Sequence, residues 1–176
     1  MDRHAVLTAI GADRPGLVDE VSAYVLERGG NLEDSRMLNM RGQFAMMMLV
    51  SGDAGVIERL TTDLDQLRAA SAIHADLVTA DMTAAAARGP AIPYRLTTSA
   101  MDHPGLVRSV AHALRGLGVN IESVETTLHQ APITGAPLFE MELVVAVPAG
   151  MAVAKLREAV GAVCDELNID WQLAAL

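Results

Sequence analysis

A chain of 176 residues that is 51% hydrophobic and only 20% charged lies far from the composition that keeps polypeptides disordered, so a packed core is expected. Its formal net charge of −9 and 3% aromatic content argue against the basic face and stacking platforms by which proteins hold nucleic acid directly. One cysteine, Cys164, excludes an internal disulfide and a cysteine metal cluster, and among apolar helical positions it reads as a small buried hydrophobe.

Taken in order, His4 to Ile10 is a short apolar segment ending at Gly11 and fits a strand. Asp13 before Pro15 reads as a helix cap followed by proline in the first turn. A helix then carries Leu17, Val18, Val21 and Val25 on one stripe, and Gly29-Gly30 closes it. Leu32 to Met40 and Gln43 to Ser51 are strands joined by a tight turn at Arg41-Gly42. Asp53 caps a second helix with Val56, Ile57, Leu60, Leu64 and Leu67 on one face, and Ile73 to Thr79 closes the unit as a fourth strand.

The same order then recurs. Asp13-Arg14-Pro15-Gly16-Leu17-Val18 returns as Asp102-His103-Pro104-Gly105-Leu106-Val107, an offset of 89 that also superposes Val21 on Val110, Gly29 on Gly118, Asn31 on Asn120 and Glu33 on Glu122. The second copy reads as strand 94–99, a helix bearing Leu106, Val107, Val110, Leu114 and Leu117, and strands 120–128 and 138–147. A helix bearing Val153, Leu156, Val160, Val163 and Leu167 and a strand alternating Ile169, Trp171 and Leu173 complete it. Phe44 best matches Phe139, so about six extra residues around 130–136 lengthen one hairpin loop. Between the copies, Gly89-Pro90 and Pro93 bar regular structure, giving domains at 1–81 and 93–176 with a linker over 82–92.

Strand-helix-strand-strand-helix-strand is the split βαβ pattern: an α+β fold of two ferredoxin-like βαββαβ modules, each an antiparallel sheet with its helices on one face. In the first copy 44–50 is apolar on both faces, whereas Glu140 and Glu142 keep part of the matching strand polar. Two readings follow: a strand fully buried between layers, or an open face that packs against another module or subunit.

Asp-x-Pro-Gly-Leu-Val opening the first helix, with Gly-x-Asn-Leu/Ile at the second strand, resembles the ACT domain in both halves. The tandem arrangement, with Pro137-Leu138-Phe139-Glu140-Met141-Glu142 after a Pro/Gly hairpin, resembles the glycine cleavage system transcriptional repressor family. The resemblance implies a homodimeric regulator that binds an amino acid or similar small molecule at module interfaces. It also implies control of transcription through a DNA-binding activator and not by touching DNA.

The residues suggest how such a ligand would be held. A helix N-terminus offers free N–H groups and partial positive charge, so Gly16, Leu17 and Val18, or Gly105, Leu106 and Val107, can hold a carboxylate. Asn31 or Asn120 can donate to or accept from the ligand, and Asp13 or Asp102 can face its ammonium group. Arg14 against His103 is the main difference within the motif, so the two sites are expected to be inequivalent.

No nucleophile elbow, phosphate loop or zinc-binding motif is present, and the five histidines, His4, His74, His103, His112 and His129, show no ligand spacing. A non-enzyme without cofactor or metal is expected. Early charges and Pro15 leave no room for a signal peptide, and the longest apolar runs fall far short of the ~20 residues a membrane span needs. A cytoplasmic protein away from membranes follows. The alternatives are a ligand-independent interaction module and a detached regulatory subunit of an amino-acid metabolic enzyme.

Overall fold

The computed structural model describes residues 3–80, 89–131 and 135–176 and divides into two compact units, Met1–Ala87 and Arg88–Leu176. The first unit runs β1 (Arg3–Ala12), α1 (Leu17–Glu27), β2 (Asn31–Met40), β3 (Gln43–Gly52), α2 (Ala54–Thr62), α3 (Leu64–Ser71) and β4 (His74–Thr79). The second runs β5 (Ala91–Met101), α4 (Leu106–Gly116), β6 (Asn120–Gln130), β7 (Pro137–Pro148), α5 (Val153–Leu167) and β8 (Asp170–Ala175). Each unit holds one four-stranded antiparallel sheet, ordered β2-β3-β1-β4 and β6-β7-β5-β8, with its helices packed on it.

Alternation along the strands builds each core. On β1 and β3, Ala5, Leu7, Ala9, Met46, Met48 and Val50 turn inward, where Leu17, Val21, Val25, Ile57, Leu60 and Leu67 from the helices close over them. The second core repeats this with Leu96, Met141, Leu143 and Val145 under Val110, Leu114, Leu156, Val160 and Cys164. Cys164 is fully buried, and burial, assisted by the charge of Asp165, pushes its thiol up to about 11. It packs as a hydrophobe and has no thiolate character at neutral pH.

The turns follow local chemistry. Arg41 and Gly42 both have positive φ, 49° and 84°, which is the type I′ geometry matched to the twist of a two-residue hairpin. The Asp53 carboxylate accepts the Val56 N–H at 2.9 Å and caps α2.

Two expectations are corrected, and one of two open readings is excluded. The helix predicted through Val56 and Leu67 is two, broken at Asp63. The Leu60 carbonyl, which a continuous helix would offer to Leu64, instead accepts the Tyr24 hydroxyl, while Arg28 holds the Asp63 carboxylate at 3.0 Å. The second unit has Ala113 where the 89-residue offset places Tyr24, and its α5 is unbroken. The strand predicted from Tyr94 begins at Ala91, inside the proposed linker, most of which lies outside the described residues. Proline loses only its N–H, and the carbonyls of Pro90 and Pro93 accept from Ala149 and Leu176 at 3.0 and 3.1 Å. Finally, β3 is not buried on both sides: Ala45, Met47 and Leu49 look away from the core.

The outer sheet faces of the two units differ. In the first, Leu38, Ile10, Met47 and Val78 are 44%, 46%, 55% and 61% exposed, a largely apolar surface. In the second, Thr97, Ser99, Glu125, Glu140, Glu142 and Asp170 line the corresponding concavity.

Candidate functional site

The motif shared by both copies forms the junction between the first strand and first helix of each unit. Asp13 was expected to cap α1, but the cap is Gly16 at φ 90°, and Gly105 at φ 101° does the same for α4. Both lie in the left-handed region that favours glycine, and neither helix receives a side-chain cap. The turn therefore requires the glycine, and Pro15 and Pro104 sit before the helix instead of inside its first turn. Val18 and Val107, expected on the core stripe, are exposed, because the buried stripes run through Leu17, Val21 and Val25 and through Leu106, Val110 and Leu114, and the residue next to Leu17 or Leu106 is turned about 100° away from them.

Asp13 has another role. Its carboxylate accepts the Asn39 Nδ2 donor at 2.6 Å, its N–H donates to the Gly42 carbonyl at 2.8 Å, and the Asn39 side-chain Oδ1 accepts the Gly42 N–H at 3.2 Å. These bonds tie the β1–α1 junction to the β2–β3 hairpin. Asn39 was not singled out from the sequence; its place before Arg41-Gly42 was the available signal.

Arg14 is also engaged. Its guanidinium donates to both Glu20 oxygens at 2.6 Å and to the Ser71 carbonyl at 3.2 Å. The bond from Arg14 holds the Glu20 carboxyl at about 2, below its ordinary 4.5; a Ser71 bond and the Arg14 charge act the same way, and desolvation opposes them. Because the folded value lies below the unfolded one, the pair stabilises the fold above about pH 4.5 and that contribution is lost as pH falls towards 2. Solvent screening keeps it small. Glu20→Gln is therefore expected to melt below the parent protein above pH 4.5 and together with it near pH 2; a constant gap across thermal melts would show that the pair does not form.

Each junction borders a hollow. One of about 300 Å³ is lined by Asp13, Arg14, Gly16, Val18, Asp19 and Phe44 among others. Its counterpart, about 340 Å³, is lined by His103, Gly105, Leu106, Val107, Arg108 and Phe139. Both are large enough for a small amino acid, and in both the glycine and the free helix start adjoin an aromatic ring. Charge separates them: Asp19 of the first corresponds to Arg108 of the second. His103 replaces Arg14, and its Nδ1 lies 3.2 Å from the Pro104 carbonyl.

Asn31 and Asn120 are not brought to these hollows within a unit. Asn31 pairs with Ser51, which pairs with His4 at the start of β1, whereas the hollow lies beyond Ala12 at its end. The eleven residues of α1 separate the two by about 16 Å. Asn120, likewise at the far end of its helix, donates to Glu122. Asp102 does not line the second hollow; its N–H donates to the Pro137 carbonyl at 3.0 Å. Among the described residues no group of three or more His, Cys, Asp or Glu is placed to hold a metal ion, and no helix is long and apolar enough to cross a membrane.

Residues 3–77 match the ACT domain family model. Over 167 residues, 94% of this chain and 86% of the relative, the sequence is 28% identical to the glycine cleavage system transcriptional repressor of Escherichia coli. A shorter match, 50% identical over 46 residues, covers 26% of this chain and 51% of a UPF0237 protein of Methanopyrus kandleri. The crystal structure of an unknown protein from Galdieria sulphuraria superposes with a TM-score of 0.83 at 28% identity, covering 100% of this chain and 99% of that one.

Proposed function

Because the chain is an ACT-domain protein of two ACT-like modules, homologous along its length to a glycine cleavage system transcriptional repressor, we propose that it is a non-catalytic regulator that binds an amino acid. It passes the bound state to a protein partner, a DNA-binding transcriptional activator, and it acts as a homodimer. The observation that supports this best is the pair of uncapped, glycine-started helices, each facing an aromatic-lined hollow.

The second module is the copy that binds. A carboxylate at the N–H groups of Leu106 and Val107 meets the helix dipole and Arg108 together. In the first module the same anion would meet Asp13 and Asp19, while Arg14 is already held by Glu20. Asn31 or Asn120 can join such a ligand only from a neighbouring module.

Thermal melts with each amino acid at millimolar concentration, glycine and serine first, test the reading. A ligand at a hundred times its dissociation constant adds about 2.7 kcal/mol, a shift on the order of 10 °C for a domain of this size. That shift is expected to disappear in Arg108→Asp and to survive Asp19→Asn. No shift with any amino acid, after unfolding and refolding to strip retained ligand, would favour a ligand-independent interaction module.

A further inference from the structure

We propose that the outer sheet face of the first unit is the homodimer interface, and that it is covered by the same face of a second copy related by a twofold axis parallel to the strands. This rests on the homodimer reading and not on the ligand.

The strand register places the outward residues in rows across the sheet. One row reads Arg36, Met47, Thr8, Asp76 from β2 to β4; the rows beside it read Leu38, Ala45, Ile10, His74 and Asp34, Leu49, Val6, Val78. The central row is apolar or neutral in the middle and carries opposite charges at its two ends. A twofold axis lying between facing sheets and parallel to the strands keeps each row and exchanges its ends. Arg36 then faces Asp76 of the second copy and Asp76 faces its Arg36, while Ala45 lies over Ile10 and Leu49 over Val6. An axis running across the strands through this row would instead set Arg36 against Arg36, which like-charge repulsion disfavours, and one lying midway to the next row would set Arg36 against Asp34 but leave Asp76 opposite Val78 with no cation. The charges thus select one of the two face-to-face arrangements, to within the ~30° by which packed twisted sheets cross.

The charged ends are available for this. Among the described residues the one ion pair of Arg36 is with Asp34 two residues away, both side chains being largely exposed, an arrangement of little strength, and its other bond is to the adjacent Ser35 carbonyl. Among the described residues Asp76 has no cationic partner; its Oδ1 accepts the Leu77 N–H at 3.0 Å. An acidic face of the kind the second unit presents would be a poor cover, because Glu125, Glu140, Glu142 and Asp170 would lose water opposite few cations. Four strands about 5 Å apart offer roughly 500 Å² per copy, so roughly 1,000 Å² in all, at the lower bound for a specific interface. A dimer that dissociates on dilution through the micromolar range is expected.

Sedimentation of the full chain and its variants tests this. Met47→Glu, a change at an exposed position, is expected to give a folded monomer. Arg36→Asp and Asp76→Arg, each alone, bring like charges together twice and are expected to weaken the homodimer at least about tenfold. Mixed in equal amounts, the two variants are expected to form a heterodimer, since every facing pair is then of opposite sign. A monomeric parent protein at high micromolar concentration would overturn the dimer itself. A dimer indifferent to Met47→Glu, or single variants that weaken without rescue on mixing, would overturn this face and leave the dimer standing.

Discussion

Truncating Leu143 to alanine is expected to lower the stability of the second unit by about 3–5 kcal/mol and to leave the melting of the first unit nearly where it was. Leu143 has no exposed surface. It sits on β7, registered with Leu96 on one side and Val124 on the other, under the helices that carry Val110, Leu114, Leu156 and Val160. Removing three carbons there loses their transfer energy and leaves a cavity that surrounding strands cannot close. For a unit of this size each kcal/mol moves the midpoint by about 4–8 °C, so the shift is on the order of 20 °C. The two cores share no residue, so calorimetry should resolve one transition that moves and one that stays. Met48→Ala, at the equivalent place in the first unit, should move the other one, and by less, because the unbranched thioether leaves a gap its neighbours fill more easily. Both transitions moving together in either variant would show that the units unfold as one.

Gly105→Ala is expected to destabilise the second unit by about 1–3 kcal/mol and to abolish the amino-acid-induced rise in melting temperature. Its φ of 101° is one that a residue with a Cβ rarely adopts. The chain must rotate to relieve it, and the helix start rotates too. The space around the position is open, so the cost lies in the backbone and not in a clash. Gly16→Ala carries the same strain, with φ 90°, and should lower stability similarly, yet leave the ligand response of the second module intact. Calorimetry of both variants, with and without glycine, separates strain from recognition. Loss of the response in Gly16→Ala and its survival in Gly105→Ala would reverse the assignment of the binding copy.

Much of the architecture could be read from residue pattern, because alternation on strands and three- and four-residue spacing on helices are enforced by burial, the largest favourable term in folding. The 89-residue offset supplied a second reading of every element. What escaped was decided by contacts between residues distant in sequence. The break at Asp63 depends on Tyr24 and Arg28, some 35 to 39 positions away, and no local preference marks it. The role of Asp13 was missed for the same reason: Asp before Pro-Gly has the local form of a helix cap, while Asn39 claims the carboxylate from the neighbouring hairpin. The helix starts of the candidate site were legible from Gly16 and Gly105, but the placing of Asn31 and Asn120 at the opposite end required the length of the helix between them. The inequivalence expected from Arg14 and His103 lies as much in Asp19 and Arg108, one turn further along, where the motif no longer drew attention.

The acidic row of the second unit carries a consequence for assembly size. Glu125 stands directly across the ladder from Glu142, and Thr127 across from Glu140, so this face repels any copy of itself brought against it. Were both sheets of the chain adhesive, each molecule would carry two sticky ends and could grow head to tail into open-ended filaments. If the first unit's outer face pairs with its own kind as proposed, while this one repels its own kind, growth closes after a single step, and raising the concentration fills the pair without lengthening it.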